Sequence, residues 1–443
     1  MLLYVGRIPT LVISSAKAAQ EVMKAQDAKF ASRPQLHMAS KFFYGCREVA
    51  FAPYGDYWRQ VRRITVLHVL NAKRALSFNP VREEEVAILV AKIRRCAASS
   101  DGSVKLSDLF FALARDVTCR AAFGRKYSEE GDERRTSGLL RRVNELLGSI
   151  YMGELNPWLG WIDWLRRIDK RVDECSKEMD DILVKVVNDH IARAEKDGNI
   201  HDQMGGKDFV DVLLSINQED KEVSIALSKT DIKAIVFSMY AAGTDTSFST
   251  MEWTMKELIK HPEEMKRVQD EIRAVMAYDT NKPIKEEHLE KMTYLKAVIK
   301  EILRLHAPAP LLLPRESIED AQLLGYAVPA KTRVLINAWA IGRDPNYWEK
   351  AEEFMPERFL DSDMDFRGQD FNYIPFGSGR RGCPGINFAT AIIELALANV
   401  LLHFDWELPD GRKGETLDTS IEAPGLTPHI KPNLVAVAKP WVA

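Results

Sequence analysis

The sequence predicts a mainly α-helical fold with a few small β-sheets. Apolar residues recur with helical periodicity over most of the 443-residue chain. The longest such stretch follows a capping box at Ser228-x-x-Asp231 and stops at His261-Pro262, because proline does not continue a helix. Short β-like runs occur near the N-terminus, at 322–336 and near the C-terminus. These three observations favour one large domain of the α+β type.

In chain order, the first predicted element is a hairpin over 2–13 that turns near Gly6-Arg7. Helices are then expected at 16–24, 57–70, 80–98, 107–123, 137–150, 163–196, 230–260, 262–276, 293–305 and 385–403. A polar, glycine-rich loop is predicted at 197–207, and a second hairpin at 322–336 that turns around Val328-Pro329-Ala330-Lys331. The stretch 339–383 is expected to be mostly loop, and a short β tail closes the chain. No internal repeat or low-complexity linker interrupts the sequence, so residues 1–443 are expected to form a single domain.

The composition excludes several classes of protein. A net charge of −3, with 46% hydrophobic and 28% charged residues, is typical of a globular protein and offers no bulk field for nucleic acid. The five cysteines form no C-x-x-C pair, which argues against a zinc ribbon or a disulfide framework and favours a cytosol-facing protein with reduced thiols. The apolar stretch 386–404 contains Asn387, Glu394, Asn399 and His403, so it is predicted to be a core helix.

The most specific signal is a lone cysteine, Cys383, in a glycine-rich loop directly before an apolar helix. Glycines let the backbone approach a flat ligand closely, and backbone N–H groups near the sulfur would hold it as a thiolate. Arg381 is placed to meet an anionic group, and Phe376 to pack beside the sulfur. A glycine-rich turn with an unreactive cysteine is the alternative, but the full pattern F-x-x-G-x-R-x-C-x-G is too specific to favour it.

This loop resembles the haem-binding loop of the cytochromes P450. The resemblance implies a cytochrome P450 fold, haem b as the cofactor, and Cys383 as the thiolate ligand of the haem iron. It also assigns Phe376, Arg381 and Gly385 to cofactor binding, with Arg381 facing a haem propionate. The motifs that follow are interpreted in the light of this resemblance.

A glutamate and two arginines match a second motif of the family. Glu301 and Arg304 lie three residues apart, on one face of a predicted helix, where they can pair. An isolated E-x-x-R is usually a surface ion pair that contributes little. Here Pro356-Glu357-Arg358-Phe359 follows at the distance seen in the family. The resemblance therefore implies a buried network of Glu301, Arg304 and Arg358 behind the haem, with a structural role.

The centre of the longest predicted helix contains Ala242-Gly243-Thr244-Asp245-Thr246-Ser247. Glycine and threonine are poor helix formers, and threonine hydroxyls can bond carbonyls of the preceding turn, so the helix is expected to be interrupted or bent here. A packing glycine with back-bonded threonines is the alternative. The segment is similar to the family's A/G-G-x-D/E-T-T/S motif. This implies that Asp245 and Thr246 relay protons to bound dioxygen, and that Ala242 contacts cofactor and substrate.

Two further segments resemble parts of the haem pocket. Trp58 and Arg62 match the family's W-x-x-x-R pattern, which implies that both bond a haem propionate; an amphipathic basic surface helix is the alternative. Arg315, which follows the E-x-x-R helix, is implied to reach a propionate as well. Arg59 and Arg63 fall on a different face from Arg62, where they could dock an acidic electron-donor protein.

The substrate pocket is less sharply defined. By resemblance its residues come from about 38–52, 144–160, 235–246, 308–313 and 424–428. The candidates are apolar: Met239, Ala242, Ala309, Leu311, Leu313 and Leu426. Core packing is the alternative role for Ala309 and Leu313. An apolar pocket favours a medium-sized lipophilic substrate, such as a terpenoid, phenylpropanoid, coumarin, alkaloid or oxime.

The resemblance covers essentially the whole chain and is closest to the plant microsomal clan of specialised metabolism, through segments such as 30–34 and 52–59. It implies a monooxygenase that inserts one atom of O2 into a small lipophilic plant metabolite. Electrons would come from NADPH through NADPH-cytochrome P450 reductase, at the cytosolic face of the endoplasmic reticulum membrane. Members of the clan begin with a membrane anchor, a proline-rich hinge and a first helix, and we expect these to be missing because the chain opens in the first predicted hairpin.

Two other functions are compatible with the same motifs. A P450-fold isomerase or dehydratase would rearrange a peroxide or an oxime without a reductase. The intact Asp245-Thr246 pair argues against it, because such an enzyme needs no dioxygen proton relay. A non-catalytic haem-binding or scaffold protein is the second alternative, and the retention of every haem-site residue argues against that.

Overall fold

The structure, a computed structural model, describes residues 1–99, 102–126, 133–197, 207–219, 226–276, 282–411, 414, 417 and 422–441. As predicted, it is mainly helical with small β-sheets. The polar loop predicted at 197–207 lies, apart from its two end residues, outside the described part of the chain.

The longest helix, α12, spans Lys229–Lys260 and is buried over most of its length. Its first turn confirms the predicted capping box: Asp231 N donates to Ser228 Oγ at 3.2 Å, and Ser228 N donates to Asp231 Oδ2 at 2.8 Å. α12 packs along α6, which spans Leu106–Phe123. A Cβ atom at Gly243 would lie 3.2 Å from Thr118 Cγ2, so a glycine at this position lets the two helices approach closely.

The other helices pack around this central pair. They are α1 (Ala16–Gln20), α2 (His37–Phe42), α3 (Asp56–Ile64), α4 (Ala72–Ser77), α5 (Asn79–Ala97), α7 (Glu133–Leu147), α8 (Met152–Leu155), α9 (Gly160–Leu165), α10 (Ile168–Asp197), α11 (Phe209–Glu219), α13 (Pro262–Val275), α14 (Thr293–Leu305), α15 (Ala338–Ile341) and α16 (Ile386–His403). π-helical turns at Glu21–Ala25 and Thr65–Val69 extend α1 and α3 to the lengths predicted for 16–24 and 57–70.

One predicted helix is divided in the structure. The periodicity at 163–196 predicted a continuous helix, but α9 ends at Leu165 and α10 begins at Ile168. Arg167 has a φ of 52°, which lies outside the right-handed helical region and ends the regular helix there. The prediction of a single helix was wrong because no glycine or proline marks this break.

The strands form small sheets that tie distant parts of the chain together. β1 (Leu2–Val5) and β2 (Ile8–Ile13) form the predicted N-terminal hairpin. β2 also pairs in parallel with β7 (Arg333–Ile336), which pairs in turn with β4 (Arg315–Glu316). The C-terminal strand β11 (Val435–Pro440) lies between β3 (Ser103–Lys105) and β8 (Phe404–Glu407). The remaining strands pair as β5 (Ala321–Leu323) with β6 (Tyr326–Val328), and β9 (Glu422–Ala423) with β10 (His429–Ile430).

The second predicted hairpin was placed wrongly. It was expected to turn around Val328–Lys331, but the turn between β5 and β6 lies at Leu324-Gly325, where both residues have positive φ. Glycine permits this conformation at low cost. β7 leaves the hairpin and joins β2, because its residues Val334 and Ile336 are fully buried and therefore need hydrogen-bonding partners within the core.

α16 confirms the prediction of a core helix. Within the described residues it is the helix that is long and apolar enough to cross a membrane, and 72% of it is buried inside the protein. Its polar residue Asn399 is satisfied internally. The Asn399 side chain accepts a hydrogen bond from Ile284 N at 2.9 Å and donates one to Ile284 O at 3.1 Å.

Candidate active site

The cysteine loop is a rigid turn that ends where α16 begins. Gly377 and Gly379 have φ values of 69° and 68°, in the region that favours glycine. A Cβ atom at Gly379 would lie 2.2 Å from Met23 O, so no larger residue fits there. Cys383 N donates to Phe376 O at 2.9 Å, and Gly385 N donates to Cys383 Sγ at 3.4 Å. The loop therefore holds the sulfur in one place and offers it a backbone donor.

Cys383 differs from the other four cysteines. Cys46, Cys119 and Cys175 are buried and Cys96 is half-buried, whereas the Cys383 side chain is exposed. Burial is nevertheless the main influence on the Cys383 pKa, which it raises, while the Gly385 N–H and the charge of Arg62 lower it. The side chain is therefore accessible although many protein atoms surround it. The sulfur is thus free to bind a ligand away from bulk solvent.

The central helix has a similar accessible face. Residues of α12 before and after the 242–246 turn are largely buried, but Ala242 is exposed and Thr246 is half-buried. Thr246 Oγ1 donates to Ala242 O, and Thr244 Oγ1 donates to Tyr240 O, each at 2.7 Å. The expected interruption of the helix is wrong, since α12 is continuous here. The hydroxyl groups bond carbonyls of the preceding turn without breaking the helix.

Asp245 is a buried carboxylate without a hydrogen-bond partner on one oxygen. It is 7% exposed, and no described residue bonds its Oδ1. Burial raises its pKa to about 7, and the charge of Arg141 lowers it only partly. A carboxyl group with a pKa near neutrality can both release and take up a proton under physiological conditions.

The predicted propionate ligands lie around the cysteine loop and are bonded to the protein. Trp58 Nε1 donates to Val49 O at 2.9 Å, and the guanidinium of Arg381 lies 4.1 Å above the Trp58 ring. Burial, together with the charge of Arg315, lowers the Arg381 pKa to about 9. Burial also lowers the pKa values of Arg62 and Arg315. Several guanidinium groups are therefore held in a poorly solvated region beside the loop.

Three residues of this region were missed in the sequence. Arg33 is buried and donates to Leu313 O at 2.5 Å and to Ala50 O at 2.8 Å. Glu48 is fully buried and accepts from Ser238 Oγ at 2.8 Å, and Asp27 accepts from Arg315 at 3.0 Å. The contacts of Arg33 and Asp27 with the second half of the chain span about 280 residues, so no local pattern reveals them.

The buried charges in this region do not balance. Three buried arginines, Arg33, Arg315 and Arg381, and the half-buried Arg62 accompany the two buried carboxylates of Asp27 and Glu48. Desolvated positive charge is costly unless an anion neutralises it. A ligand with two carboxylates, beside an accessible thiolate, would supply the missing charge. The residues present therefore fit a haem with its two propionates.

The structure brings the residues of the second predicted cluster together. Arg304 donates twice to Glu301, at 2.7 and 2.8 Å, and both side chains are 0% exposed. Arg358 Nε donates to the same carboxylate at 3.2 Å. Arg304 also donates to the carbonyl oxygens of Gly342, Ala351 and Glu353. The cluster thus joins α14 to the backbone of the segment from Gly342 to Glu353.

The predicted substrate residues differ from one another in how deeply they are buried. Met239, Leu313 and Leu426 belong to or pack against one apolar cluster of the core. Ala309 is half-buried, and Leu311 is 43% exposed. Three of the candidates thus belong to or pack against the main apolar core, whereas Ala309 and Leu311 do not.

The sequence and the fold are similar to those of known proteins. The family described as Cytochrome P450 matches residues 1–437. Cytochrome P450 71A1 of Persea americana is 46% identical over 442 residues, which cover 99% of this chain and 86% of that protein. Norfluorocurarine oxidase of a Strychnos species is 44% identical over 432 residues, covering 97% and 84% of the two chains. A zebrafish cytochrome P450 solved with abiraterone has a TM-score of 0.82 at 25% identity and covers 100% of this chain and 95% of its own.

The fold and the cysteine loop define a haem-thiolate protein, and this chain belongs to the cytochrome P450 family. As a member it is a monooxygenase, an oxidoreductase whose cofactor is haem b. The relatives named here from Persea americana and Strychnos are plant proteins. The predicted family and fold are thereby confirmed.

Proposed function

We propose that this protein inserts one atom of O2 into a small lipophilic plant metabolite, with electrons from NADPH through NADPH-cytochrome P450 reductase. One observation carries the proposal: the side chain of Cys383 is exposed at the end of the cysteine loop, and Ala242 and Thr246 are accessible on the otherwise buried helix α12. A site that needs only haem binding requires no buried acid such as Asp245. The relative named norfluorocurarine oxidase supports a plant metabolite as the substrate.

In this proposal each group has a defined task. Bound haem supplies the oxidation chemistry, and the Cys383 thiolate holds its iron and donates electron density. Trp58, Arg62, Arg315 and Arg381 would hold the two propionates, for which the Trp58 N–H would have to leave Val49 O. Phe376, Gly385 and Ala242 would pack against the haem. Asp245 would release a proton that Thr246 Oγ1 accepts, while the Thr246 hydroxyl would give up its own proton towards dioxygen. Glu301, Arg304 and Arg358 keep the loop behind the haem in place.

The electron donor approaches from outside the protein. Arg59 and Arg63 lie on α3, near the haem-binding Arg62 but on another face, and Arg59 is half-exposed beside Asp56. Basic side chains at the rim of a contact mainly raise the rate of encounter with an acidic partner. We propose that they receive the acidic surface of the reductase.

A reconstituted reaction tests the proposal. The holoenzyme is incubated with plant reductase, NADPH and a mixture of terpenoids, phenylpropanoids and alkaloids under isotopically labelled O2. We expect a product that carries one labelled oxygen atom and that forms only when NADPH and reductase are present. Product formation from a peroxide or an oxime without reductase would instead identify an isomerase or a dehydratase.

The Asp245→Asn variant should lose turnover because an amide cannot relay the proton. We expect a decrease of about 100-fold in product formation, the usual contribution of a positioned acid–base group. More NADPH should be consumed per molecule of product, because some of the electrons that reach the haem would no longer lead to product. The measurement is product and NADPH consumption under the same conditions. Asp270→Asn, at an exposed position, is the control and should keep wild-type turnover.

The same variant should change the pH dependence of stability. The folded-state pKa of Asp245 is about 7, above the ordinary 3.8, so the folded protein binds the proton more tightly than the unfolded chain. The contribution of this group to the free energy of unfolding is therefore greatest below both values and decreases as the pH rises to about 7. Between pH 5 and pH 8, we expect Asp245→Asn to gain roughly 2–3 kcal/mol relative to the wild type. Denaturant unfolding of both proteins at pH 5 and pH 8 measures this change. A difference in unfolding free energy between variant and wild type that is the same at both pH values would contradict it.

We also propose that the protein binds the cytosolic face of the endoplasmic reticulum membrane. Trp158, Trp161 and Trp164 are 79%, 61% and 77% exposed, and lie in and just before α9. The exposed apolar strand β1 is adjacent, because Arg7 N donates to Leu155 O at 2.9 Å. Tryptophan favours the interface between lipid and water.

Replacing Trp158, Trp161 and Trp164 together by serine should weaken membrane binding. We expect the partition coefficient on neutral phosphatidylcholine vesicles to fall at least about tenfold, since three interfacial anchors are lost. Co-sedimentation with vesicles measures it. Trp339→Ser removes a tryptophan that is exposed elsewhere and should leave binding unchanged. Equal vesicle binding by the triple variant and the wild type would contradict membrane binding through these three tryptophans.

We propose, finally, that residues 1–443 act as one domain. One apolar cluster contains buried residues from α2 to β11, so its members come from nearly the whole length of the chain. Domains fold around a single core of this kind.

A further inference from the structure

The side chain of Asn144, on α7, clasps Thr427, in the loop that holds Leu426, by bonding both its N–H and its C=O. Thr427 N donates to Asn144 Oδ1 at 3.0 Å, and Asn144 Nδ2 donates to Thr427 O at 3.2 Å. Leu426 N donates to the backbone oxygen of Asn144 at 3.1 Å. Asn144 is 5% exposed. A buried amide that bonds both the N–H and the C=O of one residue fixes that residue as a strand neighbour would.

A second contact fixes the same loop. Asn144 Nδ2 lies 2.9 Å from His429 Nε2. Because the amide group donates, this nitrogen of the imidazole must accept, so His429 is neutral. Burial, with a further effect from the charge of Arg141, lowers the His429 pKa to about 4, which agrees with the neutral form. The hydrogen bond therefore persists throughout the physiological pH range.

The backbones of α7 and the loop are also in direct contact. A Cβ atom at Gly148 would lie 2.2 Å from the carbonyl carbon of Gly425. A Cβ atom at Gly425 would lie 2.6 Å from Asn144 Nδ2. Both positions therefore need glycine. The loop cannot shift relative to the end of α7 without losing the clasp.

The loop continues along the central helix. Ser249 Oγ donates to Pro428 O at 3.0 Å, and Ile430 N donates to Glu252 Oε2 at 3.1 Å. From Ile430 back to Pro428, the contacts of the loop move along α12 from Glu252 to Ser249. This direction leads towards the turn of α12 that contains Asp245 and Thr246. Leu426, at the end of the run, packs half-buried against the same apolar cluster as Met239. The position of Leu426 thus depends on the clasp.

We propose that Asn144 is a positioning residue that sets the specificity of the site by fixing Leu426 at the wall of the substrate pocket. The inference rests on the proposed function, because it assumes that Leu426 meets the substrate. Asn144 does not contact the substrate in this proposal; it acts through the loop.

The chain provides a matched control. Asn399 clasps Ile284 by the same pair of hydrogen bonds, at 2.9 and 3.1 Å, and it is 1% exposed. The Asn399→Ala variant therefore loses the same kind of buried interaction as Asn144→Ala, but in the core between α16 and the segment before α14. Any effect that follows only from lost stability should appear in both variants.

The probes are imidazole and 1-phenylimidazole, and the experiment measures their dissociation constants for the holoenzyme from the shift of the Soret band. In Asn144→Ala we expect the ratio of the two constants to change by about tenfold, the usual effect of altered packing in an apolar pocket. Leu426→Ala should change the ratio similarly, and the double variant should add nothing further. Asn399→Ala should keep the ratio within about twofold.

Two results would overturn the inference. One is an unchanged ratio in Asn144→Ala; the other is an equal change in Asn399→Ala, which would indicate a general structural effect. If Asn144→Ala does not fold, Leu426→Ala and Leu426→Phe decide, since an unchanged ratio in both also contradicts the inference. Failure of the proposed function is seen separately, as a wild-type protein that binds neither probe or has no reductase-dependent turnover.

Discussion

Replacing Cys383 by alanine should abolish the red-shifted Soret band that the reduced protein forms with carbon monoxide. The band requires a thiolate ligand on the haem iron, and Cys383 is the exposed cysteine of the chain, with its sulfur beside Arg62. Alanine removes the ligand but keeps the backbone of the loop. Reductase-dependent turnover should disappear together with the band. The measurement is the difference spectrum of the reduced protein with and without carbon monoxide.

Cys96→Ala is the matched control for this experiment. Cys96 lies in α5, is half-buried, and belongs to none of the segments around the loop. Its replacement should leave the spectrum unchanged. A red-shifted band that survives in Cys383→Ala would overturn the assignment of the ligand. A band typical of histidine-ligated haem in the wild type would show that the proximal side is disturbed.

The parts of the fold that were predicted correctly carry local signals. α12 begins at a capping box and ends at a proline, and α16 follows a glycine-rich turn. Two of the corrections concern features without such signals. Arg167 adopts a positive φ with no glycine or proline beside it, and β7 pairs with a strand more than 300 residues earlier. Local propensity cannot report such long-range pairing.

The residues of the candidate site also fall into two groups, those with a local sequence signal and those without one. Cys383, Asp245 and Glu301 stand in motifs whose spacing is visible in the sequence. Arg33 and Asn144 do not, because the atoms they bond lie about 280 residues away along the chain. Their partners are backbone groups, which any sequence provides. A sequence therefore reveals the groups that perform the chemistry more readily than those that position them.

Replacing Glu301 by glutamine should destabilise the protein strongly. The carboxylate neutralises Arg304 and Arg358 in a region where Glu301 and Arg304 are 0% exposed. It also accepts a hydrogen bond from Met355 N at 2.8 Å. Glutamine keeps the size of the side chain but leaves two guanidinium groups without a counter-charge. Removing one partner of a buried ion pair typically costs about 3–5 kcal/mol, and we expect a loss of this size in denaturant unfolding of the holoenzyme.

Glu353→Gln is the control because Lys350 and Glu353 have the same spacing of three residues. Their side chains are 56% and 59% exposed, and such a pair contributes at most about 1 kcal/mol. The holoenzyme of Glu301→Gln should also release haem at a lower denaturant concentration than either the wild type or the control, since the proposed role of the cluster is to keep the cysteine loop in place. Equal unfolding midpoints for the two variants would contradict a structural role for the cluster. A stable Glu301→Gln protein that has lost only turnover would assign Glu301 to the chemistry, because a residue that supports the loop must affect stability and haem retention together.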